Sequence, residues 1–228
     1  MAVNFPNSPS NGDTFTSGGI TYVYNSTYGA WASSTSASGI DTLSDVDTST
    51  SAPSTGQLLQ WNGTNWVPYS QIVEVDQWRL NVSVENNANP ITTGFERVDN
   101  ASFAKIGTGM SLSSGVWTFP RTGVYEIAVN ASIYLDAADS FVGIQTYAST
   151  DGGANWERVA QAHCAKTDGS GNEANMGSST YFINVTDTSN VLAQFELASI
   201  TAGTADFVRS NTDLNMTTFT FVRMGDSQ

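Results

Sequence analysis

Apolar and polar residues alternate with a period of two in several short runs of this 228-residue chain. The clearest run is GVYEIAVNASIYL, which places six apolar or aromatic side chains on one face: Tyr125, Ile127, Val129, Ala131, Ile133 and Leu135. Glu126, Asn130 and Ser132 fall on the opposite face. Such alternation is typical of a half-buried β-strand, and no segment has a convincing helical period. The sequence therefore predicts an all-β protein.

Further strands are predicted by the same pattern over residues 141–149, 157–165, 179–186, 190–199 and 216–224. Clusters of Gly, Asn, Asp and Ser separate them, which indicates antiparallel structure. This many strands after Trp78 predicts a two-sheet sandwich of about 150 residues. Residues 81–84, 141–147 and 193–197 contain more apolar side chains than one small sandwich needs, so we expect an interface there.

The first 77 residues have a different composition. Residues 33–57 are rich in Ser and Thr, and most of this segment, residues 33–56, contains almost no large apolar side chain, which predicts an extended or partner-ordered linker. Aromatic hairpins flank it. Asn62-Gly63 favours a type I′ turn with Trp61 and Trp66 on the adjoining strands, and Tyr24 is expected to face Trp31.

Charge and residue counts exclude several classes of function. The 21 acidic and 8 basic residues give a net charge of -13, which argues against binding to a nucleic-acid backbone. The single Cys and single His, Cys164 and His163, exclude a disulfide framework and a multi-ligand metal site built from these residues. Neighbours on a strand point to opposite faces, so we expect a buried Cys and a surface His instead of a catalytic dyad.

Two groups of carboxylates could support chemistry. Asp136 and Asp139 could form a glycosidase pair, but their position in a short DAAD segment between strands is more simply a polar loop. Asp41, Asp45 and Asp47 could hold a cation, although their spacing does not match a calcium loop. We therefore predict no catalytic, cofactor-binding or metal-ligating residue, and the protein is predicted not to be an enzyme.

The N-terminal residues contain neither a basic segment nor an apolar segment, so we expect no secretory signal and synthesis in the host cytoplasm. No apolar run approaches the roughly 20 residues of a membrane helix, and we expect no membrane insertion.

Two N-terminal segments resemble the Trp-hairpin repeats of bacteriophage tail and fibre proteins. They are FPNSPSNGDTFTSGGITYVYNSTYGAW, residues 5–31, and LSDVDTSTSAPSTGQLLQWNGTNWVP, residues 43–68. The resemblance covers most of the first 70 residues and implies a virion protein that docks through this region.

A second resemblance covers the predicted sandwich in outline. In GVWTFPRTGVYEIAVNASIYL, Trp117, Gly123 and Tyr125 match the signature of the complement first-component globular head and its tumour necrosis factor relatives. Ile127 and Val129 stand where that signature has aromatic residues. The final segment TTFTFVRM is similar to the last strand of the family, whose aromatic residues, here Phe219 and Phe221, fill the core. The resemblance implies a jelly roll that assembles as a three-fold trimer.

A third motif, STDGGANW at residues 149–156, resembles the Asp box of sialidase-type propellers. In those proteins the box is a turn that lies away from the chemistry. One copy cannot build a propeller, so we expect a hairpin within the sandwich.

Together these patterns predict four regions. Residues 1–32 are an N-terminal β-hairpin docking module, residues 33–57 a linker, residues 58–77 a Trp hairpin and connector, and residues 78–228 a jelly-roll domain. The expected function is that of a bacteriophage virion structural protein, a homotrimeric tail fibre or appendage. We expect the chain to bind two further copies of itself, other virion proteins through the N-terminal region, and a host-surface polysaccharide.

Loops at residues 148–157, 165–178 and 198–213 are the candidates for contact with the polysaccharide. The main alternative is a capsid decoration, head-fibre or collar protein. A carbohydrate-active enzyme would require paired carboxylates in a cleft, and no convincing set is present. A metal-assisted binding module built on Asp41, Asp45 and Asp47 is the remaining alternative.

Overall fold

The computed structural model describes residues 3–34, 39–103, 105–136, 141–166, 171–200 and 206–228. The chain divides into two compact units, Met1–Gln71 and Ile72–Gln228, which we call unit 1 and unit 2. Both are built from β-strands, and the described ranges contain no α-helix. The all-β prediction is confirmed.

Unit 1 contains two small sheets. Strands β1 (Thr14–Ser17), β2 (Ile20–Asn25) and β3 (Ala30–Ser33) form an antiparallel sheet, and β4 (Leu58–Trp61) and β5 (Trp66–Tyr69) form a hairpin. A 3-10 turn (Ile40–Thr42) lies between them in the chain. Tyr24 and Trp31 are register partners, as predicted, with ring centroids 5.4 Å apart.

Part of the predicted linker lies along the β4–β5 hairpin. Val46 forms a parallel bridge with Trp66. The Trp66 N–H donates to the Asp45 carbonyl oxygen at 2.8 Å, and the Asp47 N–H donates to the Trp66 carbonyl oxygen at 2.9 Å. An edge strand offers unpaired backbone groups, and residues 45–47 satisfy those of Trp66 in β5.

The β4–β5 loop differs from the predicted type I′ turn. Gly63 has a φ of 100°, but Asn62 is not among the described residues with positive φ. Instead, the Asn62 Oδ1 accepts hydrogen bonds from the N–H groups of Thr64 at 2.9 Å and Asn65 at 2.8 Å. This side-chain-to-backbone pattern is a common alternative for Asn in turns. Trp61 and Trp66 are nevertheless register partners, as predicted.

Unit 2 is a sandwich of two antiparallel sheets. Its strands are β6 (Val75–Leu80), β7 (Phe95–Arg97), β8 (Ser111–Ser113), β9 (Val116–Thr118), β10 (Gly123–Leu135), β11 (Val142–Ser149), β12 (Glu157–Cys164), β13 (Glu173–Val185), β14 (Leu192–Ala198), β15 (Phe207–Val208) and β16 (Thr218–Gly225). One sheet has the order β13-β10-β16-β6-β7, with β15 beside β10, and the other has the order β12-β11-β14-β9-β8. This is the predicted jelly-roll arrangement, and its first strand begins at Val75, before the predicted boundary at Trp78.

The core of unit 2 follows the predicted alternation. All six residues assigned to the inner face of β10 are buried. Trp117 is fully buried and contacts four aromatic side chains: Trp78, Phe95, Phe195 and Phe221. Phe219 and Phe221 are also buried, as the resemblance implied. Ile127 and Val129 occupy the positions where the family signature has aromatic residues, and both belong to the same core.

Strand β13 is longer than predicted, because it begins at Glu173 and not at residue 179. It pairs with β10 without interruption. Gly123 is opposite Val185 at one end of the pairing, and Leu135 is opposite Glu173 at the other. The length of this strand is therefore set by its partner. Strands β6, β7, β8, β9 and β15 were not predicted. The last four have only two or three residues, too few to show a period.

Candidate assembly face and ligand cleft

His163 and Cys164 lie side by side on β12 and point to opposite faces. Cys164 pairs with Val142 of the core, whereas His163 pairs with Gly143. Both residues are half-buried, so the expected contrast between a buried Cys and a surface His is wrong. Burial lowers the pKa of His163, and burial together with the negative charge of Asp206 raises the pKa of Cys164 to about 11. The thiol is therefore protonated at neutral pH and is a poor nucleophile.

The carboxylates considered for metal binding or hydrolysis have structural surroundings. Asp47 accepts hydrogen bonds from the N–H groups of Thr50 and Ser49, and hydrogen bonds from these two residues, chiefly Thr50, lower its pKa to about 2. No group of three potential metal ligands occurs within the described part of the chain. Asp136 donates its backbone N–H to Asp206, and Asp139 lies outside the described residues. Among the helices described, none has the length and apolar character needed to cross a membrane.

The Asp-box-like segment forms the turn between β11 and β12. The Ser149 Oγ donates to Asp151 at 2.8 Å and accepts from the Gly153 N–H at 2.9 Å. Asp151 also accepts from the backbone N–H of Asn155 at 2.9 Å and from its side-chain amide at 2.7 Å. These hydrogen bonds, chiefly those from Asn155, lower the pKa of Asp151 to about 2. The predicted hairpin is therefore present and internally braced.

A cleft of about 290 Å³ opens beside this turn, between β12 and β13. Its partly or fully buried lining residues are Ala148, Trp156, Val159, Tyr181 and Ile183. Its exposed lining residues are Thr150, Asp151, Asn155, Glu157 and Asn184. The cleft thus has an apolar, aromatic floor and a polar rim, which is the usual composition of a small-molecule site. It includes part of the first predicted contact loop, residues 148–157.

The outer face of β13, β10 and β16 is a second candidate surface. Its side chains are the even-numbered residues of 124–134, 174–184 and 218–222, as the strand register requires. We call this surface the assembly face. Phe182 is 58% exposed and Met176 is 66% exposed, while Glu126 is the one acidic or basic side chain on the face in these three strands. Thr, Ser and Ala occupy most of the remaining positions.

The interface expected from the sequence, at residues 81–84, 141–147 and 193–197, does not include this face and stays a prediction. In residues 193–197, Ala193, Phe195 and Leu197 belong to the core, and the intervening Gln194 and Glu196 are polar. The exposed Phe182 was missed because it follows Tyr181 directly, and a sequence alone does not say which of two adjacent aromatic residues points inward. The register with β10 decides it, because Tyr181 pairs with the core residue Ile127.

No protein-family model matches the chain, and no curated protein sequence matches it. Solved structures do share the fold. The structure of Eiger TNF from S. frugiperda has 13% identical residues and a TM-score of 0.50, over 70% of this chain and 96% of the other. Unit 2 is a jelly roll like that of TNF. A murine APRIL structure at pH 8.5 has 11% identity and a TM-score of 0.47, over 66% of this chain and 98% of the other. At these identities the likeness concerns the fold alone.

Proposed function

We propose that the protein is a structural component of a bacteriophage virion: a homotrimeric fibre or appendage that docks through unit 1 and presents unit 2 as a head. The observation that supports the trimer most directly is the assembly face. It combines exposed Phe182 and Met176 with small polar side chains and one carboxylate. Aromatic residues and Met are enriched in protein interfaces, and charged residues are depleted from their centres.

A contact between copies of the chain fits this face better than exposure to water. The hydrophobic contribution grows with the apolar area removed from water, so burial of Phe182 and Met176 favours association. Closed symmetry is the usual outcome for identical chains. The likeness of unit 2 to the jelly roll of TNF, whose family forms three-fold trimers, favours a trimer over a dimer.

The virion assignment depends on unit 1. Its two sheets contain the aromatic hairpins that resemble bacteriophage fibre repeats. Small isolated sheets are marginally stable in water unless they pack on something else. A segment of this kind suits docking, because contact with a particle supplies the burial that the segment lacks.

Light scattering of the purified chain tests the trimer. We expect a mass of three chains of 24.2 kDa. Phe182→Asp should yield monomers, because a carboxylate would have to be buried at the centre of the contact. Phe141→Asp is the matched control, since Phe141 is 48% exposed on unit 2 but lies outside the assembly face. A monomeric wild-type chain would contradict the trimer.

Deletion of residues 1–71 tests docking. The truncated chain should keep the cooperative unfolding of unit 2 and should not be incorporated into particles. Incorporation without unit 1 would exclude docking through that unit. Labelling of intact virions with a specific antibody separates a tail fibre from the alternative of a capsid decoration, head-fibre or collar protein.

A further inference from the structure

We infer that the cleft between β12 and β13 binds an uncharged saccharide, with Trp156 and Tyr181 as the aromatic contacts. This inference rests on the proposed role of unit 2 as the head that meets the host surface, and it assigns that role to one site. The cleft volume of about 290 Å³ is close to the lower end of the usual range for ligand sites, about 300–1,000 Å³.

The turn that borders the cleft is held in place from two sides. Within the turn, Asp151 and Ser149 accept or donate the hydrogen bonds that close it. Outside the turn, the Gly152 N–H donates to the carbonyl oxygen of Asn190, at the loop between β13 and β14. Gly152 and Gly153 have φ values of 74° and 89°, a conformation that favours glycine. A site whose groups are fixed before binding loses less entropy when a ligand arrives.

The lining residues have the chemistry that a sugar ring requires. A pyranose presents apolar C–H groups on its faces and hydroxyl groups around its edge. Trp156 and Tyr181 are half-buried and offer aromatic surface to the faces, while each retains a polar group at its edge. Thr150, Asn155 and Glu157 are exposed at the rim, where their oxygen and nitrogen atoms can exchange hydrogen bonds with hydroxyl groups.

Charge selects an uncharged ligand over an anionic one. The lining includes two carboxylates, Asp151 and Glu157, and no Lys or Arg. The whole chain has a net charge of -13. A uronate or phosphate-bearing polymer would be repelled by this field, whereas hydroxyl groups can donate to the carboxylates.

The cleft and the assembly face use opposite sides of β13 except at Asn184, which belongs to the assembly face and also lines the cleft. Tyr181 and Ile183 point between the sheets and line the cleft, whereas Phe182 points outward to the assembly face. Loss of trimer formation and loss of saccharide binding can therefore be produced by different substitutions.

The experiment uses the full-length chain and three uncharged probes: maltotriose, tri-N-acetylchitotriose and galactobiose. Binding is measured by saturation-transfer NMR and by titration of backbone amide shifts, with trigalacturonate as the anionic comparison. We expect at least one uncharged probe to shift the amides of Gly152, Gly153 and Trp156, without effect on Gly63. Trigalacturonate should bind at least about tenfold more weakly, a difference of about 1.4 kcal/mol.

Substitutions locate the site. Trp156→Ala should weaken binding at least about tenfold, and Trp156→Phe should retain most of it, because the ring face remains. Trp61→Ala is the matched control, since Trp61 is also a solvent-accessible tryptophan beside a hairpin loop and should leave binding unchanged. Glu157→Gln provides a rim variant that preserves the turn if Trp156→Ala perturbs folding, and it should weaken binding several-fold.

Two results would overturn the cleft as the site. One is binding that shifts backbone amides elsewhere in the chain, and the other is a loss of binding in Trp61→Ala equal to that in Trp156→Ala. Failure of all three uncharged probes, or tighter binding of trigalacturonate, would overturn the ligand class. Neither result affects the trimer or particle incorporation, which are measured by light scattering and by the deletion of unit 1. Failure in those two measurements would instead contradict the proposed function.

Discussion

Units 1 and 2 both contain clusters of aromatic residues, but only unit 2 buries them. In unit 1, Phe5 stacks on Trp31 with centroids 5.3 Å apart, yet no described residue of this unit is buried. In unit 2, Trp117 has no exposed surface and lies within a core drawn from both sheets. The hydrophobic contribution is proportional to the area removed from water. Similar side chains therefore stabilise unit 2 strongly and unit 1 weakly.

Each unit also contains a turn in which an aspartate side chain accepts local hydrogen bonds. Asp47 in unit 1 and Asp151 in unit 2 each accept backbone and side-chain hydrogen bonds from residues two to four positions away. Both units thus contain turns closed by local hydrogen bonds, whereas only unit 2 has a buried core among its described residues.

The largest effect is expected for the central tryptophan. Trp117→Ala should lower the free energy of unfolding by about 3–5 kcal/mol, because it leaves a cavity among four aromatic rings. Trp61→Ala, the matched change in unit 1, should alter the free energy of unfolding by less than about 0.5 kcal/mol. Urea unfolding followed by circular dichroism measures both. Equal losses in the two variants would contradict the contrast between the units.

A buried ion pair gives the next effect. Asp76 is 2% exposed and accepts from Arg97 at 2.9 and 3.0 Å, from Trp78 at 2.9 Å and from the Met110 N–H at 2.7 Å. Asp76→Asn should cost about 2–3 kcal/mol, less than a fully enclosed pair because Arg97 is partly exposed.

Asp99 provides the control for this change. It accepts from Arg79 at 2.6 Å, but its own side chain is 70% exposed. Asp99→Asn should therefore cost less than about 1 kcal/mol in the same urea titration. An equal loss of unfolding free energy in Asp76→Asn and Asp99→Asn would show that burial of the carboxylate does not determine the size of the loss.

Two glycine substitutions compare the turns. Gly63 has a φ of 100° and Gly152 a φ of 74°, so an alanine at either position strains the backbone. Gly152→Ala should lower the stability of unit 2 by about 1 kcal/mol. Gly63→Ala should leave unit 2 unchanged and weaken the near-ultraviolet signal of the Trp61–Trp66 pair, whose ring centroids are 5.7 Å apart. A change in unit 2 stability with Gly63→Ala would contradict this expectation.

The smallest effect is a pH dependence in both turns. The pKa values of Asp47 and Asp151 are lowered to about 2 from 3.8, so the ionised form is the one that the folded turn stabilises. This stabilisation is complete above the unfolded value near 4 and is lost as the pH falls towards 2. NMR titration of the carboxyl carbons should give midpoints near 2 for both residues. A midpoint near 3.8 for Asp47 alone would show that its turn does not form in solution.

Local patterns were sufficient for much of the fold. The alternation of β10 predicted its buried face, and the family resemblance carried by Trp117, Gly123 and Tyr125 implied the jelly roll. The turn at Asn62 was predicted incorrectly, because Asn can either adopt positive φ or bond its side chain to nearby N–H groups. The local sequence is compatible with both alternatives.

The sequence by itself determined the β class, the inner face of β10, the facing aromatic pairs of unit 1 and the net charge of -13. These features depend on residues close together in the chain or on composition. The tertiary structure alone decided that Tyr181 lines a cleft with Trp156 and that Phe182 points outward. The reason is register: the pairing of β13 with β10 fixes which of two neighbouring aromatic residues enters the sandwich.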